Sequence, residues 1–251
     1  MLRAFGARAE WGVSDLAREL KLGKSATHRL LQSLAAGGLL VQNERRGTYA
    51  LSLEVVALAR AAERRTPLVA RAHELLEQLS AESSETATLF VLRGQRGLIA
   101  DTVDGPHSMR YSVNTGDTVQ LHAGAGSKAI LAHQPASFVD DLLAAPLVRY
   151  TENTITDPDA LRRELTQIRR RGFAFSESEV TPGTRAVGAA VLDVDGRAVA
   201  GIAVTAPAFR MSDDAIPEVA RLLTAATQQL SRELGFVPAH ADNFDEAREG
   251  P

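Results

Sequence analysis

No cysteine occurs among the 251 residues. Disulfides, thiolate metal sites and cysteine redox sensing are therefore excluded. No stretch approaches the roughly 20 consecutive apolar residues that a bilayer-spanning helix needs. The opening MLRAFGARAEWGV lacks the apolar core of a signal peptide, so the cytoplasm is the expected location. There is no internal repeat and no low-complexity tract. No nucleophile elbow, phosphate-binding loop or metal-spaced histidine cluster is present; His122 and His133 stand eleven residues apart without an obvious third partner. Catalysis, a bound metal and a cofactor are not expected.

What is present suits two domains, or one large one, with a hydrophobic fraction of 45% able to furnish a sizeable core. The net charge of −3 gives no hint of nucleic acid, but its distribution does. Met1 to Leu53 carries eight Lys and Arg against four Asp and Glu, a net of +4, leaving −7 for the remainder. A small basic module joined to a larger acidic one fits DNA binding by the first part alone.

Val13 to Leu51 reads VSDLARELKLGKSATHRLLQSLAAGGLLVQNERRGTYAL. Ser14 fits an N-cap, with Asp15 in the first turn against the positive helix end. Leu16, Ala17 and Leu20 follow at helical spacing. Lys21, Leu22 and Gly23 form a short turn in which Leu22 packs inward and Gly23 eases the backbone. A second helix starts at about Lys24, with Ala26, Leu30, Leu31 and Leu34 as its buried stripe. Gly37 and Gly38 stop it where a left-handed C-cap is expected. Leu39 to Val41 and Thr48 to Leu51 read as strands joined by a turn at Glu44 to Gly47.

Two helices joined by so short a turn cross steeply and leave the second exposed. Periodicity alone fits an ordinary helical hairpin with a solvated face equally well. The helix spacing, the double glycine stop and the arginine-tipped hairpin decide for a winged helix-turn-helix. Lys24, Ser25, Thr27, His28 and Arg29 suit phosphates and base edges, and Arg45 and Arg46 at the wing tip suit the sugar-phosphate backbone or a minor groove.

Leu53 to Arg65 reads as a linking helix, and Pro67 opens another that runs to about Ala81. Glu85 to Arg93, Leu98 to Val103 and Met109 to Val113 are strand-like. Gly126 to His133 and Ser137 to Ala144 read as short helices. Asp157-Pro158 starts a helix that ends at Gly172. Its Arg169-Arg170-Arg171 reads as a solvated helix end rather than a second DNA contact. Phe173 to Glu177 is a short strand, Ala186 to Asp193 and Ala198 to Ala206 form a hairpin around Asp195-Gly196, and a last helix covers Asp213 to Leu234. The expected organisation is an α+β chain: residues 1–52 a winged helix-turn-helix, 53–66 a linker helix, 67–237 a domain with an antiparallel sheet and flanking helices, and 238–251 a polar tail.

The order of these pieces resembles the IclR family of bacterial transcriptional regulators, from Val13 to about Leu234. The more specific matches are TGDTVQLHAGAGSKAILA (Thr115 to Ala132), IRRRGFAFSESEV (Ile168 to Val180) and PGTRAVGAAVLDVDGRAVAGIAVTAP (Pro182 to Pro207). The resemblance implies a GAF-like C-terminal domain that binds an effector and mediates oligomerisation. It also implies a first helix beginning before Leu2, so that Met1 to about Phe5 would be only its end and would pack poorly. The family's Gly-Lys pair is Gly126-Ser127-Lys128 here.

The resemblance further implies an effector pocket between the sheet and the loop Ala123-Gly124-Ala125, where free N–H groups at a helix start can bind a carboxylate. Ser176, Ala186, Ala203 and Thr205 match the opposite wall, and Met109, Tyr111 and Leu121 are expected to add apolar lining. Two of the four wall positions are Ala, which implies a roomier, more apolar site and a larger, aromatic acid rather than glyoxylate or pyruvate.

The expected function is a DNA-binding regulator, repressor or activator, acting as a homodimer or homotetramer on an inverted-repeat operator. A small organic acid would shift DNA affinity through the linker helix. The competing readings are a ligand-independent DNA binder and, behind it, an enzyme built on the C-terminal domain.

Overall fold

The computed structural model describes residues 1–2, 4–58 and 67–237. They fall into two compact units, one ending at Pro67 and one starting at Leu68. Most of the expected linker helix and all of the expected tail lie outside the described residues; residues 54–58 are helical.

The first unit contains α1 (Ala4–Ala7), β1 (Glu10–Gly12), α2 (Val13–Glu19), α3 (Lys24–Ala36), β2 (Leu40–Asn43) and β3 (Thr48–Leu51). The strands form an antiparallel sheet in the order β1-β3-β2. Phe5, Trp11, Leu16, Leu31, Leu40 and Tyr49 make its core. Short as it is, α1 packs well: Phe5 is buried and Trp11 Nε1 donates to the Ala4 carbonyl at 3.0 Å.

Both helices flanking the turn end in the same main-chain device. After α2, Leu22 N donates to Ala17 O and Lys21 N to Arg18 O; after α3, Leu39 N donates to Leu34 O and Gly38 N to Ala35 O. These are paired Schellman closures, each with a left-handed residue, Lys21 at φ +53° and Gly38 at +76°. The chain therefore turns left-handed at Lys21, not at Gly23, whose φ is −65°. Gly12, not Ser14, caps α2, and Ser14 lies inside the helix. Leu22 is exposed rather than packed inward.

The second unit contains α4 (Pro67–Ser83), β4 (Thr86–Arg93), β5 (Arg96–Val103), β6 (Thr118–Gln120), α5 (Ala125–Ala132), α6 (Ala136–Leu143), α7 (Pro158–Arg171), β7 (Ala174–Glu177), β8 (Thr184–Leu192), β9 (Ala198–Pro207) and α8 (Ile216–Glu233). Its six strands pair antiparallel in the order β6-β5-β4-β9-β8-β7. Alternation along β8 and β9 divides the side chains between two faces. Val187, Ala189, Val191, Ile202 and Val204 pack with α4 and α8. Ala186 and Ala198 join α5, α6 and α7 on the other side.

Local signals hold α7 as its sequence suggests. The Asp157 side chain accepts from Ala160 N at 2.7 Å, Pro158 follows, and Gly172 ends the helix left-handed at φ +82°. Met109 to Val113 forms no strand. The ladder position beside β5 is taken by β6, with Thr118 opposite Leu98 and Gln120 opposite Arg96. The 109–113 segment is held instead by single bonds, Thr86 Oγ1 to Tyr111 O at 2.6 Å and Arg210 Nη1 to Met109 O at 2.9 Å.

Candidate functional site

Two groups of residues are singled out by geometry, one on each unit. On α3, the buried stripe is Thr27, Leu31, Leu34 and Ala35, of which Thr27 and Leu31 are fully inaccessible. Ala26 and Leu30, expected inside, are exposed, Leu30 by 46%. The stripe is turned by about one residue because Thr27 occupies a core position and satisfies its hydroxyl by donating to Gly23 O at 3.1 Å. Thr27 is thereby removed from the outward set.

The face opposite this stripe carries Ser25, Arg29 and Gln32 at i, i+4 and i+7, all exposed; His28 is exposed on the flank, and Lys24 is exposed at the helix start on the side of Leu31. Gln32 therefore stands with Ser25 and Arg29. The wing tip is the turn Asn43 to Gly47, in which Gly47 N donates to Asn43 O at 2.8 Å and Gly47 adopts φ +63°. Arg45 and Arg46 are exposed there. Glu10 Oε2 accepts from Thr48 Oγ1 at 2.9 Å and lies 3.9 Å from Arg46 Nη1, tying the wing to β1.

Two of the three arginines that end α7 are engaged within their own unit. Arg169 Nη1 donates to Ala132 O at 2.8 Å, while Arg171 donates to Glu164 Oε1 at 2.8 Å and to Phe173 O at 2.6 Å.

On the second unit, α5 lies directly on the sheet because β8 and β9 pass beneath it with glycines. A Cβ at Gly188 would stand 2.5 Å from Ala125 C, and one at Gly201 would stand 2.6 Å from Gly126 O. Beyond this close contact, the α5 start and the strands enclose a cavity of about 60 Å³. Tyr111, Gly124 and Ala125 border it on one side, and Ser176, Ala186, Ala203 and Thr205 on the other. These seven expected residues are brought together. Leu121 is not among them, because it is fully buried between α5 and its neighbours. Nor is Met109, which is 59% exposed.

Ala123 of the expected loop and Gly126 line it too, and the sequence reading missed Phe90, Val119, Ser127, Val180, Thr181 and Thr184. Phe90 explains why two Ala walls do not make a roomy chamber. Its ring lies against Gly126, where a Cβ would come within 2.6 Å of it, and fills the space beside Ala203.

The chemistry of the lining is specific. Ser127, Ser176 and Thr205 are each more than nine-tenths buried as residues, yet their hydroxyls keep access to the cavity they line: among the described residues the buried side-chain atom left without a partner is the Tyr49 hydroxyl. The first-turn N–H groups of a helix lack carbonyl partners within it; here that turn begins at Ala125. The preceding Gly124, at φ +82°, gives its N–H to Glu179 Oε2 at 3.0 Å. Burial pushes the Tyr111 hydroxyl above its ordinary pKa, partly offset by its hydrogen bond with Thr181. Small donors facing a partly open cavity suit a carboxylate.

His122 Nε2 and His133 Nδ1 sit 2.8 and 3.1 Å from the Val148 and Ala129 carbonyls. Among the described residues, no group of three or more His, Asp or Glu is placed to hold a metal ion, and no helix is long and apolar enough to cross a membrane.

Comparison with known proteins agrees with both units. The profile described as the IclR helix-turn-helix domain matches residues 1–44, and that of the bacterial transcriptional regulator IclR C-terminal region matches residues 60–232. The HTH-type transcriptional regulator BhcR of Paracoccus denitrificans is 34% identical over 227 residues, 90% of this chain and 81% of its own. The transcriptional repressor IclR of Escherichia coli is 30% identical, over 89% of this chain and 82% of its own. A crystal structure of an IclR homologue from Microbacterium hydrocarbonoxydans, complexed with 4-hydroxybenzoate, superposes with a TM-score of 0.80 over 91% of this chain and 92% of that one. Its 21% identity makes this a likeness of fold. The chain belongs to the IclR family of bacterial transcriptional regulators.

Proposed function

We propose that this regulator reads an inverted-repeat operator as a homo-oligomer, and that an organic acid bound in the α5 cavity sets its affinity for DNA. Ser25, Arg29 and Gln32 present base-reading and phosphate-binding groups on one face of α3, with His28 flanking, Lys24 at the helix start and Arg45 and Arg46 on the wing. The observation that carries the effector half is the convergence of three cavity-facing hydroxyl residues, Ser127, Ser176 and Thr205, at a helix start. Reaching the cavity, these hydroxyls are available to a ligand or ordered water. The acid in the Microbacterium homologue supports the ligand class. A short acid needs less rearrangement of the lining than an aromatic one, which requires the Phe90 ring beside Gly126 to turn aside.

The test is a thermal-shift panel of aliphatic and aromatic carboxylates, repeated on Ser176→Ala and Thr205→Val. A melting temperature that rises with an acid in the wild type and not in the variants supports the reading. The same acid should shift operator affinity by about fivefold to 150-fold. Full operator binding with no response to any acid would leave a ligand-independent DNA binder.

A further inference from the structure

Glu179 and Lys128 form a buried ion pair that adjoins the α5 cavity without lining it. Lys128 is 1% exposed, and its side chain comes from the second turn of α5. Its ammonium meets Glu179 Oε1 and donates to Phe175 O at 2.9 Å. Glu164 lies 3.8 Å away but is held by Arg171 at 2.8 Å. The other Glu179 oxygen accepts the Gly124 N–H. One carboxylate thus spans the first turn of the helix that opens the cavity, from the cap residue to Lys128.

The backbone around Glu179 is fixed to match. Thr154 Oγ1 donates to Glu179 O at 2.7 Å, Thr151 Oγ1 donates to Ser178 O at 2.6 Å, and Ser178 is left-handed at φ +54°. The next two residues, Val180 and Thr181, line the cavity. The side chain that latches this loop is thus an anion on the very kind of donor a ligand's carboxylate needs.

Resting on the acid-sensor reading above, we propose that Glu179 is a specificity-determining residue of the cavity, a built-in carboxylate that competes with the ligand's own for the start of α5. Its charge sets how acidic ligands are weighed against neutral ones of the same shape. Lys128 holds that charge in place, so only an acid with further contacts in the cavity overcomes it.

The experiment compares acid and amide pairs, benzoate with benzamide and lactate with lactamide, by calorimetry on the full-length protein and on Glu179→Gln. Removing the charge should tighten the acids about tenfold, the size of one like-charge contact at a few ångströms in a partly screened site. The amides should change less than about twofold on the same scale. Acids and amides shifting together, or acids weakening, would overturn the proposal while leaving the sensor reading intact. No binding of any acid to either protein would sink both. Because Glu179→Gln strands the buried Lys128 charge, the paired Lys128→Met/Glu179→Gln protein serves as a second test. It should retain an acid-selective tightening of about threefold, and its absence in a folded sample would count against the proposal.

Discussion

Gly188 and Gly126 meet backbone to backbone: a Cβ on Gly188 would stand 2.6 Å from the Gly126 nitrogen. The atoms it would strike are main-chain, so no rotamer change relieves the clash. Gly188→Ala should force α5 off β8 and destabilise the second unit by about 1–3 kcal/mol, the usual cost of overpacking. It should also abolish any acid response, because the cavity is built on that contact. Urea denaturation and the thermal-shift panel read the two effects separately.

Thr27 and Arg29 are two residues apart on α3, yet they should fail in different ways. Arg29→Ala should leave the melting temperature unchanged and weaken operator binding by about 1–3 kcal/mol if it reads a base. If it holds a phosphate, the slope of log affinity against log salt should fall by about one. Thr27→Ala removes a buried methyl and hydroxyl and should cost about 1–2 kcal/mol of stability. Binding measured on the folded fraction should be retained. A full-strength DNA defect in a stably folded Thr27→Ala protein would restore it to the reading face.

Tyr49 is fully buried opposite Trp11 on the neighbouring strand, and its hydroxyl has no hydrogen-bond partner among the described residues. An unsatisfied buried hydroxyl carries a desolvation cost. Tyr49→Phe keeps the ring and should be neutral or stabilising by about 1 kcal/mol, as read by chemical denaturation. A loss of stability would show that the hydroxyl meets a group from outside the described residues.

His73 on α4 lies with Nδ1 2.7 Å from Asp101 Oδ2 on β5. The hydrogen bond to Asp101 holds its pKa above the ordinary 6.5, with Glu77 and Glu74 adding to the effect and burial opposing it. A raised folded pKa means stability that is complete below 6.5 and fades as pH climbs through the folded value. His133 runs the other way. Burial holds its pKa below 6.5, so its neutral form loses ground as pH falls through that range. His73→Gln should therefore narrow the gap in melting temperature between mildly acidic and mildly alkaline buffer by lowering the acidic value. An unchanged gap would mean that the half-exposed pair is screened by solvent.

How much of this was legible in the sequence depended on whether the signal was local. The Asp157 cap and the Gly172 stop fix α7 within its own residues, and the turn at Asp195-Gly196 announces β8 and β9. β1 carries no such mark: three residues become a strand only because β3 pairs Trp11 with Tyr49 from far along the chain. Met109 to Val113 has strand composition, but β6 holds the ladder position. Thr27 reads as a polar surface residue until its hydroxyl is seen closing on Gly23. At the cavity, the wall residues on β7, β8 and β9 could be placed by family position. Phe90 and Val180 reach it from separate elements, and Glu179 contributes behind it through a hydrogen bond 55 residues away in sequence.

The turn between α2 and α3 is closed by main-chain hydrogen bonds and by the packing of Leu16 and Leu31, not by any side chain on the outward face. That face is consequently free of structural duty. Ser25, Arg29 and Gln32 can be exchanged without loosening the frame that presents them, so an address on DNA can be rewritten in this scaffold one letter at a time while the reader itself stays intact.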